Sequence, residues 1–96
     1  MTPDPARLWR IPPEAYLRHR EWDGEHVFYH GGAGDTHRFS DAAALVLQRL
    51  MAAPTDESGL VTLLAEAAGV DPAEANQALT DILVELARLE FAEPVA

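Results

Sequence analysis

The chain has 96 residues, 48% of them hydrophobic and none a cysteine. That is enough for one compact folded domain with a small core, and it excludes disulfide frameworks, thiolate metal sites and thiol nucleophiles. The formal net charge is −9, with seven arginines and no lysine against sixteen acids, and a field of that sign repels phosphate backbones and anionic lipid surfaces.

The charge is unevenly spread. Residues 1–40 hold five Arg and six acids, whereas residues 41–96 hold two Arg and ten acids. No apolar run approaches the ~18 residues of a membrane span, and Met1-Thr2-Pro3-Asp4-Pro5 lacks the basic start and apolar run of a secretory signal. A cytoplasmic protein with no membrane partner is expected.

Residues 1–15 contain four of the seven prolines, and Pro12-Pro13 blocks regular helix there. This stretch reads as an extended arm that Leu8, Trp9 and Ile11 could pin to the body, with residues 1–6 as a tail. The domain proper is then 16–96. A hairpin follows, because Asp23-Gly24 separates two strand-like runs, Tyr16 to Trp22 and Glu25 to His30, as a type I′ turn does. That turn pairs Trp22 with Glu25, Arg20 with Val27 and Arg18 with Tyr29. Neither face of the hairpin is cleanly apolar, so the pattern does not identify the buried one.

Gly31-Gly32-Ala33-Gly34-Asp35 is a second turn leading to a short third strand, Thr36 to Phe39. The rest is helical. Ser40 or Asp41 caps a helix to about Ala52, with Ala43, Val46, Leu47 and Leu50 at helical spacing. A second helix spans Glu57 to Ala68, expected to bury Leu60, Leu63, Leu64 and Ala67, with Gly69 as its stop. The third begins with the cap Asp71, Pro72 at its first position and Glu74 placed to reach back to the cap. Its apolar stripe is Ala75, Leu79, Ile82, Leu83, Leu86 and Leu89, and its polar face carries Glu74, Gln77, Asp81, Glu85 and Arg88. Phe91 to Val95 is too short to classify. The fold class is α+β, in the order β-β-β-α-α-α.

Trp22-Asp23-Gly24-Glu25, then Gly34-Asp35-Thr36-His37, then Leu45-x-Leu47-x-x-Leu50 and two further helices, form a pattern that resembles the PqqD-like family. Within it, the pattern is most similar to a subgroup tied to an HPr-kinase-related system. The resemblance covers Trp9 and then Trp22 to Phe91. It implies a winged-helix-like domain, with three strands packed on three helices, that holds the leader segment of a precursor peptide for a modifying enzyme. The leader would add as a strand beside His37, Arg38 and Phe39 and lie against the third helix, where Leu79, Ile82, Leu83 and Leu86 would meet it. The implied partners are a precursor peptide and a modifying enzyme or HPr-kinase-related protein. An exposed edge strand could also pair with a second copy as a homodimer.

Other chemistries fit less well. His26 and His30 lie four apart on a strand, about 13 Å from each other, and no zinc spacing is present, so no metal is expected. Asp35-Thr36-His37 lacks a nucleophile to complete a relay, and Gly31-Gly32-Ala33-Gly34 lacks the lysine of a phosphate loop. No catalytic residue and no cofactor is therefore assigned. A winged-helix DNA-binding regulator is the alternative, but the third helix offers one Arg among Glu74, Asp81, Glu85 and Glu90 where recognition helices carry cations and amides. A structural subunit docking on a kinase-like partner is another. The acidic helical half could also steer a basic peptide.

Overall fold

The computed structural model describes residues 6–95, so all but Ala6 of the tail expected over residues 1–6 lies outside the described residues. The main sheet is a meander of β2 (Arg18–Trp22), β3 (Glu25–His30) and β4 (Asp35–Phe39). Asp23 and Gly24 take φ of +52° and +76°, the paired left-handed conformations of a type I′ turn. The turn sets the expected register, Trp22 with Glu25, Arg20 with Val27 and Arg18 with Tyr29.

Burial decides which face is inside. Phe28 is fully buried and His30 nearly so, whereas Trp22 and Tyr29 are exposed. The inner face is therefore the one with His19, His26, Phe28 and His30, and His37 and Phe39 of β4 lie on it by register. His30 is satisfied at both nitrogens. Its Nδ1 accepts from the Ala33 N–H at 3.0 Å, which leaves Nε2 to donate to the Glu90 carbonyl at 3.0 Å.

Three helices follow, each with a local reason for its ends. In α1 (Asp41–Ala52) the Ser40 hydroxyl accepts from Ala43 N–H; in α2 (Glu57–Ala68) Asp56 accepts from Gly59 N–H at 2.7 Å, and Gly69 closes the helix at φ +68°. In α3 (Pro72–Arg88) Asp71 accepts from Glu74 N–H at 2.9 Å with Pro72 behind it. Ala43, Val46, Leu47, Leu50, Leu60, Leu64, Ala75, Leu79, Leu83 and Leu86 are buried. Ala67, expected inside, is exposed, because α2 turns that side to solvent and buries Leu60 and Leu64 instead.

A second, smaller sheet has no counterpart in the β-β-β-α-α-α order. The strand β1 (Leu8–Arg10) is its centre, flanked by β5 (Thr55–Asp56) and β6 (Glu93–Pro94), all antiparallel. Trp9 is buried, and its indole N–H donates to Glu57 Oε2 at 2.9 Å; Arg10 Nε donates to Glu93 Oε2 at 2.7 Å. The short strands thus tie both ends of the described chain to the start of α2.

The glycine loop after β3 packs backbone to backbone on the turn Pro12–Tyr16. Gly32 N–H donates to the carbonyl of the buried Ala15 at 3.1 Å, and a Cβ at Gly32 would sit 2.3 Å from the Glu14 carbonyl oxygen. Only glycine fits there without a backbone shift. Gly32→Ala is expected to destabilise the protein by about 1–3 kcal/mol, the usual cost of overpacking. Urea unfolding of the variant checks this, and an unchanged midpoint would show that the loop is free to move away.

Candidate functional site

β4 is an edge of the main sheet: it pairs with β3 on one side and with no described strand on the other. The two-residue turn fixes which of its backbone groups face outward. Such a turn is closed by a hydrogen-bonded pair, here Trp22 with Glu25, so Glu25, Val27 and Tyr29 bond toward β2. His26, Phe28 and His30 then bond toward β4, to Phe39, His37 and Asp35, which lie opposite them. Thr36 and Arg38 are left directing N–H and C=O to the open edge.

Beside that edge runs α3. Between them lies a groove of about 240 Å³ lined by Arg38, Phe39, Ser40, Ala43, Asp81, Ile82, Glu85 and Leu86. Its floor is apolar, made by Phe39, Ala43 and the fully buried Leu86. Its helix-side rim is acidic. Glu85 is held by Arg88, with Oε1 at 2.8 Å from Nη2, whereas no ion pair forms at Asp81 among the described residues. Arg38 stands on the strand side, 3.5 Å from Glu25, with both side chains more than half exposed. Such a pair is worth little and leaves Arg38 available.

An unpaired strand edge next to an apolar groove is equipped to bind an extended chain. The backbone groups of Thr36 and Arg38 would satisfy a peptide whatever its sequence, and the groove would receive alternate side chains. A larger hollow of about 370 Å³ lies between the N-terminal segment and α1, lined by Ile11, Pro12, Tyr16, Leu17, Met51 and neighbours. The strand that borders it, β1, already has both edges paired.

The seven residues singled out from the sequence do not share one environment. Arg38, Phe39, Ile82 and Leu86 come together around the groove. His37 is half-buried beneath it, its ring edge-on to Phe91 at 5.2 Å and stacked on Phe39 at 6.0 Å. Leu79 and Leu83 belong to the core cluster and line no wall of the groove. Ser40, Ala43, Asp81 and Glu85 were not singled out. The helical period places Asp81 and Glu85 on the polar side of α3, and a groove rim is the boundary where polar and apolar sides meet.

The remaining histidines form a separate pair. His19 and His26 stack at 5.3 Å with ring nitrogens 3.1 Å apart, and His26 Nε2 lies 3.2 Å from Asp41. His26 turns different nitrogens to its two neighbours, so these groups do not converge on one point. Among the described residues no group of three or more His, Asp or Glu is placed to hold a metal ion, and no helix is long and apolar enough to cross a membrane.

Residues 25–91 match the family model for coenzyme PQQ synthesis protein D (PqqD). The fold is similar to that of TbiB1, solved in complex with the TbiA(beta) leader peptide, with a TM-score of 0.73 at 21% identity over 91% of this chain and 98% of that one. It is also similar to a lasso peptide synthetase B1 complexed with the leader peptide, with a TM-score of 0.69 at 23% identity over 90% of this chain and 98% of that one. No curated protein sequence matches the chain.

Proposed function

The chain belongs to the PqqD family, and on that premise we propose that it is a non-catalytic adaptor that holds the leader segment of a precursor peptide and presents it to a modifying enzyme. The observation that carries this reading is the free edge of β4 set beside the groove against α3. Strand addition there needs no large interior, and a 96-residue domain has little to offer. Two structural neighbours of the same fold were solved with leader peptides bound, which favours the same class of ligand here. Arg38, Phe39, Ile82 and Leu86 would contact it, His37 would support it from below, and Leu79 and Leu83 would act only through the core.

The modifying enzyme is a consequence of the role, since a held leader is useful only to something that acts on the remainder. A tie to an HPr-kinase-related partner rests on the whole residue pattern from Trp22 onward and draws no support from these matches. A second copy pairing through β4 would compete with the peptide for the same edge. A DNA-binding role fits poorly, because the exposed side of α3 carries Glu74, Asp81 and Glu85 against Arg88.

Titration of the protein with the synthetic leader of a precursor encoded beside it is expected to give saturable binding by fluorescence anisotropy. A labelled DNA duplex at low salt is expected to give none. Failure of every such leader, or retention of the duplex, would overturn the assignment.

A further inference from the structure

A strand added to β4 has its side chains placed by the strand it joins. Thr36 and Arg38 direct their backbone groups outward, so each would form a hydrogen-bonded pair with the peptide residue opposite it. The side chains of those peptide residues project to the face that Arg38 occupies. The peptide residues between them project to the other face, over Phe39 and toward Ile82 and Leu86.

The two faces differ in charge. On the outer face Arg20, Val27 and Arg38 form one cross-strand row, with Arg18 in the next beside Tyr29 and Thr36. Glu25 is the acid on that face, and its contact with Arg38 is long and solvated. No ion pair forms at Arg18 or Arg20 among the described residues. On the groove face the helix rim offers Asp81 and Glu85. A peptide carboxylate on the groove side meets two carboxylates; on the outer side it meets Arg38.

We propose that the ligand is an extended peptide segment read on both faces, with apolar side chains toward the groove and a carboxylate on the outer side opposite Arg38. This rests on the peptide-holding role proposed above and adds the chemistry of the ligand. The chain's charge of −9 opposes an acidic ligand at long range. That opposition is screened beyond about 8 Å at physiological salt, so the cross-strand neighbour decides. Steering of a basic peptide by the acidic helices would give the opposite preference, which makes the two distinguishable.

Three ten-residue peptides test this, sharing the same alternate leucines and valines and carrying Glu, Ser or Lys at the positions between. The Glu peptide is expected to bind about tenfold more tightly than the Lys peptide, with Ser between, from one favourable against one like-charged cross-strand pair. Arg38→Glu, an exposed change checked for folding by circular dichroism, is expected to reverse the order of Glu and Lys. Equal affinities, or an order unchanged by Arg38→Glu, would overturn the proposal while leaving peptide binding intact. Absence of binding by all three, Ser included, would overturn the peptide-holding role with it.

Discussion

Phe91→Ala is expected to lower the free energy of unfolding by about 3–5 kcal/mol, as aromatic-to-alanine changes in closed cores do. Phe91 is fully buried where α3 meets the sheet. Its ring packs edge-on against His30 at 5.2 Å, His37 at 5.2 Å and Phe39 at 5.1 Å. Two features put it there. Glu90 takes φ +64°, reversing the chain after α3, and Phe91 N–H donates to the Leu86 carbonyl at 2.9 Å. Three of its neighbours are inner-face residues of β3 and β4, so a cavity at Phe91 undermines the strand whose edge would take the peptide. A domain of this length has about 5–14 kcal/mol of stability in all, so the loss is roughly a fifth of it or more. Urea unfolding followed by tryptophan fluorescence measures the change. A loss below about 1 kcal/mol would mean that the surrounding rings close over the gap and that β4 does not depend on this contact.

Phe91 also shows where reading the residues alone runs out. The hairpin was legible because Asp-Gly is a local signal, and each helix because a cap and a repeating apolar stripe occupy consecutive residues. A single aromatic just beyond a helix has no period to betray its burial. The second sheet was hidden for a related reason. Two of its strands are two residues long, and its contacts join positions 48 and 83 apart in sequence, as in Trp9 to Glu57 and Arg10 to Glu93. Nothing local encodes such pairings. The inner hairpin face was ambiguous because two of its histidines, His19 and His26, interact with each other and a third is buried through its bonds to Glu90 and Ala33. Hydropathy counts a satisfied buried histidine as polar.

The groove was half legible, and adjacent residues of α3 separate the two halves. Leu83→Glu is expected to unfold the protein or cost more than about 3 kcal/mol, because it places a carboxylate without a partner inside the core. Leu83 is 5% exposed, in a cluster with Leu79, Leu86 and Phe28. Ile82→Glu is a different experiment one residue away. Ile82 is half-buried on the groove wall, so a glutamate there can turn its head to water and leave the core closed. Stability is expected to fall by about 1 kcal/mol, the central value for point substitutions, since Ile82 is only partly packed against the core. Peptide affinity is expected to fall more than tenfold, because an apolar contact of about 1.5–3 kcal/mol is removed and a third carboxylate joins Asp81 and Glu85. Thermal melts of both variants and a leader titration of Ile82→Glu are the measurements. If Ile82→Glu also unfolds, the helix side of the groove is core and no peptide lies against it. If it folds and binds as before, the peptide sits elsewhere, and the free edge of β4 is not the surface that holds it.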